Sequence, residues 1–100
     1  MVDLGHVEGF DWDTGNDRKS FDKHGVTQAE AEQTFFNQPL LVLVDPRHSV
    51  DEPRYHALGR TDEDRHLHIS FTLREGDRLI RVISARDMHR KERMHYAQSS

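Results

Sequence analysis

His66-Leu-His-Ile-Ser-Phe-Thr-Leu73, Arg74-Glu-Gly-Asp77 and Arg78-Leu-Ile-Arg-Val-Ile-Ser84 follow one another without a break. In the first segment Leu67, Ile69, Phe71 and Leu73 fall on one side, and His66, His68, Ser70 and Thr72 on the other. That is the period of a strand with one face buried. Gly76 supplies the positive φ of a tight hairpin turn. The returning strand sets Ile80 and Val82 on one face and Leu79, Arg81 and Ile83 on the other. An antiparallel hairpin is the centre from which the rest of the chain is placed.

Upstream, Leu40-Leu-Val-Leu-Val44 is a continuous apolar run of strand length, which predicts a strand buried on both faces. Asp45-Pro46 stops it, the prolines and acids of residues 45–53 predict a loop, and Arg54–Gly59 reads as a further strand. Thr27-Gln-Ala-Glu30 is a capping box and opens a helix over Gln28–Phe36, with Ala31 and Phe35 on one face. Asp13 is a suitable cap for an earlier helix over Thr14–His24, closed by Gly25. Asp87 is placed to cap a last helix over Met88–Ala97. Helices, then hairpin-linked strands, then a helix predict an α+β fold: two N-terminal helices, an antiparallel sheet and a C-terminal helix. Residues 1–9 read as a flexible lead-in and 10–100 as a single domain.

The 100 residues allow one core. There is no cysteine, so disulfide scaffolds and thiol nucleophiles are excluded. No apolar run is long enough to span a bilayer, and Met1–Phe10 lacks a signal-peptide pattern, so the expected location is cytoplasmic. The net charge of −4 is unevenly placed. The first half is strongly acidic, whereas Arg78, Arg81, Arg86, Arg90, Lys91 and Arg93 outnumber Asp87 and Glu92 within one short window. An acidic protein with such a patch can engage a polyanion locally.

Eight histidines invite a metal reading. His66-x-His68 places two imidazoles on one strand face, but no third ligand at a fixed spacing follows, so no metal site is expected. Ser49 beside His48, and Ser84 without a nucleophile-elbow context, do not form a nucleophilic triad. Metal-free cleavage of RNA through its 2′-hydroxyl needs a base, an acid and cations around the phosphorane. The chain offers Lys23, His24, His48, Glu52, Arg54, Arg60, Arg81 and Arg86 for these tasks.

Several of these residues lie in motifs with a family likeness. Phe10-Asp-Trp-Asp13 followed by Lys23-His-Gly-Val26 resembles the opening of the BrnT family, the toxin half of a type II toxin–antitoxin pair. Phe35-Phe36 with Pro39, Asp45-Pro-Arg-His-Ser49, Glu52-x-Arg54, Leu58-Gly-Arg60, Arg81-Val-Ile-Ser-Ala-Arg86 and Arg90-Lys-Glu-Arg93 with Tyr96 continue the likeness in order. The resemblance implies a RelE-like fold and a metal-independent endoribonuclease, without cofactor, that inhibits translation and growth. It implies a BrnA-like antitoxin as partner in a two-plus-two heterotetramer, with DNA engaged only through that antitoxin. It assigns Lys23, His24, Glu52, Arg54, Arg81 and Arg86 as catalytic candidates, with His24 as acid or base and Glu52 as the alternative base. Arg60, Arg90 and Lys91 are the substrate-binding candidates. The rival reading is an inactive protein-binding or co-repressor subunit, which would show a flat salt dependence of RNA binding where a nuclease shows a steep one. A stand-alone DNA-binding domain lacks a helix-turn-helix or zinc-finger spacing.

Overall fold

The computed structural model describes residues 4–12, 23–47 and 52–99. In chain order its elements are β1 (Gly9–Phe10), α1 (Gln28–Thr34), β2 (Leu41–Val44), β3 (Tyr55–Arg60), β4 (His66–Arg74), β5 (Leu79–Asp87) and α2 (Arg90–Gln98). They form one five-stranded sheet in the order β1-β5-β4-β3-β2. The α+β class stands, but the expected layout does not. A strand precedes the helices, and among the described residues one full helix lies before the sheet and one after it. The arrangement therefore departs from a RelE-like pair of leading helices. Of the helix expected over Thr14–His24, Lys23 and His24 are helical, and residues 13–22 lie outside the described residues.

The sheet is mixed rather than purely antiparallel. Gly9 and Phe10 run parallel to Leu79 and Ile80, while the other three pairings are antiparallel. Residues 4–9, expected as a lead-in, bring Leu4 and Val7 onto the core. Hydrophobic contact of this kind holds a short terminal strand that two ladder positions alone would not.

The central hairpin forms as read, and Glu75, Gly76 and Asp77 all take positive φ in its turn. One irregularity changes the reading of β5. Ser70 faces Ser84 and Phe71 faces Val82, so Ile83 is an extra residue in the ladder. Such a bulge reverses the alternation beyond it. Ile80, Val82 and Ala85 are buried together, and Arg81, Ser84 and Arg86 share the opposite face.

The core lies between one face of the sheet and α1. Val26, Ala31, Ala57, Leu67, Ile69, Phe71, Ile80, Val82 and Ala85 are buried there, with Phe35 packed edge-on against Phe71. The capping box is realised: Thr27 Oγ1 accepts from the Glu30 amide at 3.1 Å, and Glu30 accepts from the Thr27 amide at 3.0 Å. A smaller cluster of Leu58, Met88 and Tyr96, with Leu41 against it, seats α2 on the other face. Asp87 does not cap α2. Its carboxylate is taken by Arg65, and the Glu92 carboxylate accepts from the His89 amide at 2.8 Å instead.

β2 is an edge strand, so it is not buried on both faces: Leu43 and Val44 are half exposed. β3, the further strand expected over Arg54–Gly59, lies inside the sheet with Ala57 and Leu58 buried. Gly59 is required where α1 ends on β3. A Cβ there would lie 2.6 Å from Thr34 Cγ2 and 3.1 Å from its carbonyl oxygen. Gly59→Ala is expected to cost about 1–3 kcal/mol through overpacking, seen as a lower urea midpoint at unchanged slope.

Candidate active site

The face of the sheet opposite the main core is polar because β3, β4 and β5 each alternate. His56 pairs with Ser70 and Ser70 with Ser84; Leu58 pairs with His68 and His68 with Arg86; Thr72 pairs with Arg81. α2 covers the Leu58 end of this face. Between α2 and the outer strands lies an open cleft of about 240 Å³ lined by Leu43, His56, Leu58, His68, Lys91, Glu92 and His95.

Two linked groups of side chains stand at the cleft. In the first, His56 Nε2 lies 2.8 Å from the Asp45 carboxylate, and His56 Nδ1 lies 3.1 Å from Ser70 Oγ. Asp45 is buried at the end of β2, and its amide donates to the Arg54 carbonyl at 2.8 Å, which fixes it beside β3. The carboxylate selects the tautomer with the proton on Nε2 and leaves Nδ1 to accept from the serine hydroxyl. The connectivity is serine–histidine–aspartate. Ser70 nevertheless sits in mid-strand, flanked by ladder pairings on both sides, so its surroundings do not present the paired free N–H groups of an oxyanion hole. The set suits proton transfer better than acyl chemistry.

In the second group Arg86 grips Glu92 with both terminal nitrogens, at 2.8 and 3.0 Å, and Glu92 lies 3.7 Å from His68 Nε2. The His56 and His68 rings are 4.7 Å apart between centroids, which joins the two groups. Burial and then the Arg86 charge push His68 down to about 4, so it is uncharged at neutral pH. Burial opposes ionisation of Glu92, but the Arg86 hydrogen bonds and the His89 amide outweigh it and hold the acid at about 2.

Both shifts weaken the fold in acid. Between about pH 6.5 and 4 the unfolded chain takes up a proton at His68 that the folded chain refuses. The ionised Glu92 stabilises the fold above the ordinary carboxylate range and loses that contribution as the pH falls towards 2. The melting temperature is expected to fall from pH 7 to pH 4 by an amount equivalent to a loss on the order of 2 kcal/mol. His68→Gln is expected to flatten that upper part of the profile.

The structure brings Arg54, Arg81, Arg86 and Lys91 to this face, sets Glu52 and Arg60 at its ends, and leaves Lys23 and His24 elsewhere. Arg86 is on it, committed to Glu92. Arg81 is on it, with Nη1 3.5 Å from Asp11 Oδ2. Strand alternation from His56 carries Arg54 to the same face, next to Pro53, whose carbonyl accepts from Thr72. Glu52 lies at this end and accepts from Arg74 at 3.3 Å. Arg60 lies beyond the other end, donating from Nε to the Gln38 carbonyl at 2.9 Å. Arg90 and Lys91 are exposed on α2, and Lys91 lines the cleft. His48 lies outside the described residues.

Lys23 and His24 stand apart, beside the start of α1. There Arg65 donates to the His24 and Gly25 carbonyls and to Glu30 and Asp87, tying the loop, the helix and β5 together. The Asp87 hydrogen bonds outweigh desolvation and raise the pKa of Arg65, so it is a permanent cation.

The family model of the BrnT ribonuclease toxin of type II toxin–antitoxin systems matches residues 12–92. The chain belongs to the BrnT family. No curated protein matches it in a sequence search. The match includes Asp45, His56, Ser70, His68, Arg86 and Glu92 and ends before His95. As a BrnT member the chain is a ribonuclease toxin whose system includes an antitoxin partner.

The sequence candidates did not include His56, Asp45, Ser70 or Glu92. A signal was available for the first two. Antiparallel pairing of Leu41–Val44 with Tyr55–Leu58 brings Asp45 alongside Arg54 and within reach of His56. Among the described residues no group of three or more histidines and acids has a metal-holding arrangement, and no helix is long and apolar enough to cross a membrane.

Proposed function

We propose that this BrnT member is a metal-independent endoribonuclease that cuts RNA by attack of the 2′-hydroxyl on the adjacent phosphorus. The observation that carries this reading is the Asp45–His56–Ser70 line beside a cleft flanked by cations. The 2′-hydroxyl gives its proton to Ser70 Oγ while the serine proton moves to His56 Nδ1. The resulting imidazolium is held by Asp45. The 2′-oxygen bonds to phosphorus, the bond to the 5′-oxygen breaks, and that oxygen takes a proton from Lys91 at the cleft mouth. The products are a 2′,3′-cyclic phosphate and a free 5′-hydroxyl. Arg54 and Arg81 are assigned to the phosphorane charge, because a guanidinium fork matches phosphate oxygens. Arg60 and Arg90 extend the contact along the strand.

This reading gives the proton to His56 rather than to His24 or Glu52. His24 stands beside the start of α1, where its carbonyl accepts from Arg65, and Glu52 is ion-paired to Arg74. Lys23 and His24 act, on this account, through the Arg65-bound loop that anchors α1. In the cell the cleavage stops translation and growth. The neutralising partner is a BrnA-like antitoxin in a two-plus-two heterotetramer, which engages DNA for the pair. The half-exposed Leu43 and Val44 on the β2 edge supply apolar surface for such a complex.

The test is growth after induction of this chain alone and with its candidate antitoxin co-expressed. Arrest that the antitoxin relieves, with RNA cleavage that persists in EDTA, is expected. Full growth with soluble, folded protein present would overturn the reading.

A further inference from the structure

The cleft between α2 and the outer strands differs in character from the arginine row beside it. Leu58 forms its floor and Leu43 one lip, and the rings of His56 and His68, 4.7 Å apart and inclined at 45°, line one side. A phosphate does not suit this interior, because Glu92 lines it as a carboxylate and Leu43 and Leu58 offer no donor. A planar, uncharged, aromatic group does suit it. Such a group stacks on imidazole faces and covers leucine carbons, and base–aromatic stacking tolerates a shallow, open site. The cations sit at the rim instead: Lys91 lines the mouth, and Arg90 is exposed beside it on α2. An RNA residue has that distribution of chemistry, with an uncharged flat base on an anionic backbone.

We propose that this cleft is a nucleobase subsite that holds the base next to the bond to be cut. The base lies against His56 and His68 over Leu58, and its phosphate runs out towards Lys91 and Arg90. This inference rests on the ribonuclease reading and adds to it where the substrate is gripped. Seating the base here sets its ribose beside Ser70 and His56, so binding and proton transfer share one imidazole. It also makes cleavage sensitive to which base is present.

The test uses ligands that bind without being cut. The protein, carrying ¹⁵N-labelled histidine, is titrated with each of the four 2′-deoxynucleoside 3′-monophosphates and, separately, with 2-deoxyribose 5-phosphate. The His56 and His68 ring signals are expected to move with the nucleotides and to stay put with the sugar phosphate. Leu43→Glu, at the half-exposed lip, is expected to weaken nucleotide binding at least tenfold with the fold intact. Equal movement with the sugar phosphate would make the cleft a phosphate site and overturn the proposal. So would unmoved ring signals, including the case in which they respond only to protein concentration or to an antitoxin, which would make the cleft a protein-docking surface. RNA cut by a protein whose ring signals ignore nucleotides would remove the subsite and leave the ribonuclease. Ring signals that respond in a protein that cuts no RNA would remove the ribonuclease and leave a base-binding cleft.

Discussion

His56→Ala is expected to lower RNA cleavage by about 10²–10⁴-fold while the protein stays folded. Among the described residues the His56 imidazole combines a buried carboxylate on one nitrogen with a hydroxyl on the other. Removing it deletes the proton acceptor and one ring of the base subsite but leaves the arginines in place, so RNA binding should weaken far less than cleavage. Asp45→Asn keeps the imidazole but loses the charge that selects its tautomer and steadies its protonated form. It should fall between wild type and His56→Ala. His24→Ala should retain most activity, since its carbonyl, not its ring, meets Arg65. Cleavage of a labelled RNA by purified variants, with binding measured in parallel, checks all three. Equal loss in His24→Ala and His56→Ala would move the proton chemistry away from the cleft.

Arg86→Ala is expected to destabilise the fold by about 3 kcal/mol. The guanidinium holds Glu92 through two hydrogen bonds and its own strand end through the Asp87 carbonyl at 3.1 Å. Both partners are only about a quarter exposed, at 25% and 23%. Deleting the arginine therefore leaves a largely dehydrated carboxylate beside His68 with no cation to answer it. The protein then relieves the cost by protonating Glu92, so the loss should be largest at neutral pH and shrink in acid. Arg86→Ala with Glu92→Gln should recover part of the stability. Urea unfolding at pH 7 and pH 4 measures this. A cost below about 0.5 kcal/mol would mean that the pair behaves as a surface ion pair and does not latch α2 to the sheet.

Much of the fold was legible because short-range signals agreed with one another. The Thr27–Glu30 box, the alternation of His66–Leu73 and the turn at Gly76 are local, and each is realised. What was not legible depended on register between distant segments. Ile83 is an ordinary strand residue in the sequence, and nothing local marks it as the bulge that swings Arg86 onto the face of Arg81. Gly9–Phe10 is too short to show a period, so its parallel pairing with β5 was invisible. The apolar run Leu40–Val44 reads as interior because composition cannot tell an edge strand from a central one.

The site divides in the same way. Its candidate arginines were chosen through motif likeness and usable chemistry, and Arg54, Arg81 and Arg86 share one face of the sheet. His56 and Asp45 were missed because their partnership crosses from one strand to the next, eleven residues apart. His24 was chosen for its motif neighbours, but the Arg65 network holds it beside the start of α1, outside the lining of the His56 cleft. Arg65 itself sits in the polar turn region Thr61–Arg65, where a charged residue gives no hint of four partners.

The central claim is that an imidazole on the polar face moves the 2′-hydroxyl proton without help from a metal ion. The most direct measurement is mass spectrometry of the ends produced when purified protein meets RNA in EDTA. The account predicts 2′,3′-cyclic phosphate and 5′-hydroxyl ends from the wild type, and no new ends from His56→Ala. Cleavage that disappears in EDTA, or that yields 3′-hydroxyl and 5′-phosphate ends, would contradict it.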